Sequence, residues 1–164
     1  MDDVGANELS AMLWRERELL ELLTFKLEEE QLILMSGKTR WLQHATREVE
    51  QVLNLVREAG LGRSVEVAAL ATEWGTDENA TLRELIDKAP GGAWSEILSS
   101  HLTSMAGLTS QIKDLRDVNE QFLRAAARST QETLAGLDND LSTYDSRGES
   151  DLAAAGARLI DKSL

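Results

Sequence analysis

The chain has 164 residues, 42% of them hydrophobic and only 4% aromatic, with one proline, no cysteine and a formal net charge of −12. That is apolar enough for a packed core and the right size for one domain, or one domain with a tail. Lack of cysteine excludes disulfide scaffolds and Cys-based zinc sites. Acidity without a basic stripe works against nucleic acid and anionic membrane as partners. The dominance of Leu, Ala, Glu, Arg and Gln favours helix, while strand formers are scarce, so the composition predicts an all-α protein.

The first predicted helix covers residues 7–35. Leu9, Leu13, Leu20, Leu23, Leu27 and Leu34 form its seam, at spacings of three, four or seven. Met12, Leu19, Leu22, Phe25, Leu32 and Ile33 widen that seam, which predicts packing against at least two neighbours. Ser36-Gly37 ends the helix, because glycine takes the left-handed conformation without steric penalty. A second helix is predicted over residues 39–59, with Leu42, Ala45, Val49, Val52 and Val56 in heptad register and Gly60 and Gly62 as its stop. The short break at Gly37 folds the two back as a hairpin.

Residues 64–74 predict a short helix through Val67, Leu70, Ala71 and Trp74, followed by a turn at Gly75-Thr76-Asp77. Leu82, Leu85 and Ile86 mark another short helix, which Pro90-Gly91-Gly92 terminates. From Trp94 the residues Leu98, His101, Met105, Leu108, Ile112, Leu115, Asn119, Phe122 and Ala126 step by four and three without a slip. That regularity predicts one long helix extending to about Leu137, of roughly 60–70 Å at ~1.5 Å per residue. The expected architecture is an elongated antiparallel helical bundle, with the N-terminal hairpin packed along the long C-terminal helix. Its domain covers residues 1–137. Residues 138–164 are polar and turn-rich at first, which predicts a flexible tail ending in a short amphipathic piece around Leu152, Ala155, Leu159 and Ile160.

The sequence offers little chemistry. His44 and His101 are far apart, and neither lies in the Glu-x-x-His of di-iron bundles or the His-Glu-x-x-His of zinc proteases. His101, on the seam, reads as a polar residue that pairs within the bundle rather than as a metal ligand. Asp138, Asp140, Ser142 and Glu149 match positions one, three, five and twelve of a calcium loop, but Thr143 stands where the sharp turn needs glycine. Glu28-Glu29-Glu30 reads as a solvated face, and the four tryptophans, spread over four elements, read as core. No catalytic residue, metal site or cofactor is expected. Asn119 interrupts the apolar seam, where a buried amide must be hydrogen-bonded, and reads as a register-setting residue ahead of a partner contact.

Two segments, "LILMSGKTRWLQHATREVEQVL" and "LRDVNEQFLRAAARSTQETL", resemble the FlgN family of flagellar type III export chaperones. The first is similar to the family's helix–Gly–helix hairpin, with Gly37 at the turn, Leu42 five residues on and Thr46 before a charged, Leu-rich run. The second is similar to its Leu-x-x-x-Asn pattern, here Leu115 and Asn119, although Phe122 stands where members often carry a second Asn. The resemblance covers about residues 8–146 and rests on these two places, outside the Trp-rich segment 64–94. It implies a cytoplasmic, non-enzymatic chaperone that binds the C-terminal segments of hook-associated proteins and delivers them to the export gate. Neither nucleic acid nor stable membrane insertion is implied. Client-binding candidates are Val118, Phe122, Leu123, Ala126, Leu134 and Leu137, where an amphipathic client helix would dock. Tyr144, the only tyrosine, matches a tail tyrosine linked to gate docking in the family, or is an ordinary loop residue. The alternative from another class is a coiled-coil adaptor that self-associates along the seams.

Overall fold

The structure, a computed structural model, describes the backbone of residues 3–161 and the side chains of residues 4–141. All of its regular structure is helical: α1 (Asp3–Ser36), a 3-10 turn (Thr39–Trp41), α2 (Leu42–Glu73), α3 (Leu82–Asp87) and α4 (Ala93–Asp161). Among the described residues there is no strand, and no helix is long and apolar enough to cross a membrane. The chain divides into two compact units, Met1–Gln121 and Phe122–Leu164, and α4 contributes to both.

In the first unit α1 and α2 form the predicted hairpin. Gly37 turns the chain with φ +68°, a value that strains any residue with a Cβ. Pairing is antiparallel: Glu30 meets Thr46, Lys26 meets Glu48 and Glu16 meets Arg63, so the partner number rises as the α1 number falls. The first part of α4 runs parallel to α1, since Ser10 and Arg17 reach His101 while Leu27 and Glu30 reach Asn119. The core between them comprises Ala6, Leu9, Leu13, Leu20, Leu23 and Leu27 of α1, with Val49, Val52, Val67, Leu70 and Ala71 of α2. Leu85 and Ile86 of α3 and Leu98, Met105 and Ile112 of α4 complete it.

Three boundaries differ from those the sequence predicts. α1 starts four residues earlier, at Asp3, because Ala6 continues the heptad seam backwards and is fully buried. α2 does not stop at Gly60 and Gly62; it runs unbroken through both to Glu73, absorbing the separate helix predicted over residues 64–74. The two glycines cost about 1 kcal/mol each relative to alanine, whereas burying Val67 and Leu70 contributes roughly 1.5–3 kcal/mol apiece. Those residues reach the core only if the helix carries on, and no proline stands in the way. α4 likewise stays helical beyond Leu137, to Asp161; the chain's single proline is Pro90, so nothing after it forbids helix. Asp138 and Asp140 therefore lie on a helix instead of in a loop.

The predicted stop at Gly75 is present. Gly75 has φ +69°, and the Thr76 amide donates to Ala71 O at 2.7 Å, which satisfies a terminal carbonyl of α2. α3 opens with a capping box: Thr81 Oγ1 accepts from the Glu84 amide, and Glu84 Oε2 accepts from the Thr81 amide at 2.7 Å. The Thr81 amide, and next the Thr81 hydroxyl at 2.9 Å, both donate to Glu84 Oε2 and hold that carboxyl below its ordinary pKa. The tryptophans are not all core. Trp74 and Trp94 are half-buried against it, but Trp14 and Trp41 are exposed, each under the guanidinium of a nearby arginine, Arg17 at 4.3 Å and Arg40 at 4.8 Å.

Candidate functional site: a polar-stapled seam that becomes exposed

The heptad seam of α4 is apolar except at His101 and Asn119, and both are buried at 2% exposure. Each is held by α1. The His101 ring lies edge-on to Trp14, with centroids 5.0 Å apart. Arg17 Nη1 approaches His101 Nδ1 at 3.3 Å, and Ser10 Oγ lies 3.2 Å from Nε2. A guanidinium can only donate, so Nδ1 accepts and the proton sits on Nε2, donated to Ser10. Burial, and next the Arg17 charge, depress the His101 pKa and keep the ring neutral. In that tautomer Nε2 has no lone pair to take a proton from Ser10, so the contact is no nucleophile–base pair.

Asn119 sits at a junction of three helices. Its Nδ2 donates to Leu27 O at 2.9 Å and to Glu30 Oε2 at 3.1 Å, while Thr46 Oγ1 donates to the other carboxylate oxygen of Glu30 at 2.8 Å. The polar residues of the two family-like segments, Thr46 and Asn119, thus meet on one carboxylate. Glu30 is 4% exposed, so it is not part of a solvated Glu28–Glu30 face. A second acid is buried on the same helix: Glu16 accepts from Arg63 Nη1 at 2.8 Å. Its pKa is raised, because desolvation outweighs the attraction of Arg63. Glu16 and Glu30 occupy the positions where the predicted α1 seam jumps by seven, from Leu13 to Leu20 and from Leu27 to Leu34. The signal was in the register, hidden by residue type.

Along α4 the first unit's seam is covered up to Asn119, and exposed apolar residues follow in the sequence. Leu98, Met105, Ile112 and Asn119 are buried, whereas Val118 and Phe122 are each 38% exposed. In the second unit Leu123 and Ala126 are half-buried, and Leu134 and Leu137 are more than half exposed. Leu141, which sequence reasoning passed over, continues this row at 65%. Leu134, Leu137 and Leu141 follow at three and four residues and so share one helix face. The row is not a continuation of the core seam, whose next positions at three and four are Ser129, Thr133, Gly136 and Asp140. Tyr144 lies on the α4 backbone, and its side chain, with those of Leu152, Ala155, Leu159 and Ile160, falls outside the described ones.

Among the described residues no three His, Asp or Glu side chains gather as they would around a metal ion. No curated protein and no solved structure matches the chain. One family model, described as FlgN protein, does match, over residues 1–151. The match embraces the hairpin, the Glu30–Asn119–Thr46 junction and the exposed row of α4 together. The chain belongs to the FlgN family of flagellar export chaperones.

Proposed function

We propose that this chaperone holds the C-terminal segment of a hook-associated protein on the exposed apolar residues of α4 and delivers it to the export gate. Val118, Phe122, Leu123, Ala126, Leu134 and Leu137 make the apolar contact. The observation that carries this is the exposure of large apolar side chains on α4, Phe122 at 38% and Leu134, Leu137 and Leu141 at more than half, the last three spaced by three and four. An amphipathic client helix with apolar residues at i, i+3, i+4 and i+7 matches such a row. Covering it shields the client's own apolar face, which is what prevents premature assembly. Tyr144, following the row, serves gate docking.

Recognition here needs no reacting group. Neutral His101, bonded to Ser10 and Arg17, and Asn119, bonded to Glu30, fix the register of the first part of α4 on the hairpin. The test is a titration of the full chain with the C-terminal peptide of a hook-associated protein, followed by anisotropy. Phe122→Ala and Leu137→Ala are expected to weaken binding by the ~2 kcal/mol of a hot spot while leaving the far-UV spectrum intact. Binding unchanged by both substitutions would exclude this surface. Concentration-dependent dimerisation abolished by them would favour a self-associating adaptor instead.

A further inference from the structure

We infer that the first unit carries a second docking groove, between α2 and α4, for an acidic amphipathic helix of another protein, separate from the exposed row proposed for the client. The groove encloses about 1150 Å³ and lies wholly within Met1–Gln121. Its floor is apolar: Val67 from α2 and Leu102 and Met105 from α4 belong to the core or pack on it. On α2 and α4 its walls include the small side chains of Ser64, Ala68, Ala106 and Ser110, and the segment 78–83 leading into α3 closes one side. Small residues in a trough between helices let a third backbone approach closely.

Charge identifies the occupant. The chain is strongly acidic, yet cations stand along this groove: Arg63 and Lys113 on its helices, and Arg83 just inside α3. Arg63 is committed to Glu16. Arg83 and Lys113 are exposed, and neither makes an ion pair or hydrogen bond to another described residue, whereas Lys26 is paired with Glu29 and Glu48. One acid, Glu78, also lines the groove. Two uncommitted cations beside an apolar trough select a helix that is apolar on one face and acidic along its flanks, and they repel a basic one.

The probes are two labelled 14-residue helical peptides with the same Leu/Ala face, one flanked by Glu and the other by Lys, titrated against the full chain at low salt. The Glu peptide is expected to bind and the Lys peptide to fail. The double variant R83E/K113E should lower Glu-peptide affinity at least tenfold and admit the Lys peptide. Ala106→Phe should block the trough, while Phe122→Ala should leave Glu-peptide affinity unchanged, which separates this groove from the client surface. All these side chains are exposed, so melting temperatures should stay within a degree or two of the parent. Equal binding of both peptides, indifference to R83E/K113E, or loss of binding in Phe122→Ala would overturn the inference. So would a dimer of the parent chain that R83E/K113E dissociates, because a second copy would then be the occupant.

Discussion

Replacing Asn119 by alanine removes two donated hydrogen bonds at the three-helix junction, one to Leu27 O and one to the Glu30 carboxylate. A net contribution of about 1 kcal/mol is typical for the neutral bond and about 1.5–3 kcal/mol for the bond to a charged group. Against this, Asn119 Oδ1 is buried without a hydrogen-bond partner, and removing it relieves about 1 kcal/mol. The balance predicts a loss of roughly 1.5–3 kcal/mol, or a fall of about 3–12 °C in melting temperature for a chain of this size. Urea unfolding followed at 222 nm gives the free energy. The Glu30→Leu variant completes a double-mutant cycle, in which Asn119→Ala should cost at least about 1 kcal/mol less, because its charged partner is already gone. A loss under about 0.5 kcal/mol, or two changes that simply add, would refute the junction as an energetic unit.

Gly60→Ala and Gly62→Ala should each stabilise the protein by about 0.5–1 kcal/mol in the same urea assay, since both positions are helical and an added Cβ meets nothing nearer than 3.8 Å. Gly37→Ala should do the opposite and cost about 1 kcal/mol, because φ there is +68° although the space is open. His101→Gln should flatten the acid side of the stability profile. With a folded pKa below the ordinary ~6.5, His101 contributes stability that is present above about pH 6.5 and lost as pH falls through the folded value. Parent and variant, melted from pH 7.5 to 5, should converge towards acid, and parallel curves would contradict this. Deleting residues 138–164 should leave the melt of the remaining helices within a few degrees, since among the described residues the last buried one is Asn119; a large drop would make the tail part of the core.

How much of this was legible depended on what each residue contributes to a pattern. The α4 seam was readable because Leu, Met and Ile recur at fours and threes, and each seam residue from Leu98 to Asn119 is at least half-buried. Gly37 and Gly75 were readable as turns, and both have positive φ. Gly60 and Gly62 look the same in sequence but lie inside α2, where packing of the following residues outweighs local propensity. Glu30 was misjudged and Glu16 passed over because an acid at a seam position reads as a gap; only their partners Arg63, Thr46 and Asn119, distant in sequence, make burial tolerable. That Leu134 and Leu137 share a face could be drawn from their spacing alone. The exposure of that face could not, because exposure depends on which neighbours are missing.

The most direct test of the central claim is calorimetric titration of the full chain with the C-terminal segment of a hook-associated protein, compared with the double variant Phe122→Ala/Leu137→Ala. The proposed function predicts saturable one-to-one binding by the parent, with a negative heat-capacity change from apolar burial. It predicts at least a thirtyfold loss in the variant, as ~2 kcal/mol implies, at unchanged helicity. Equal affinity in parent and variant, with both fully folded, would contradict it and move the client off the exposed apolar residues of α4.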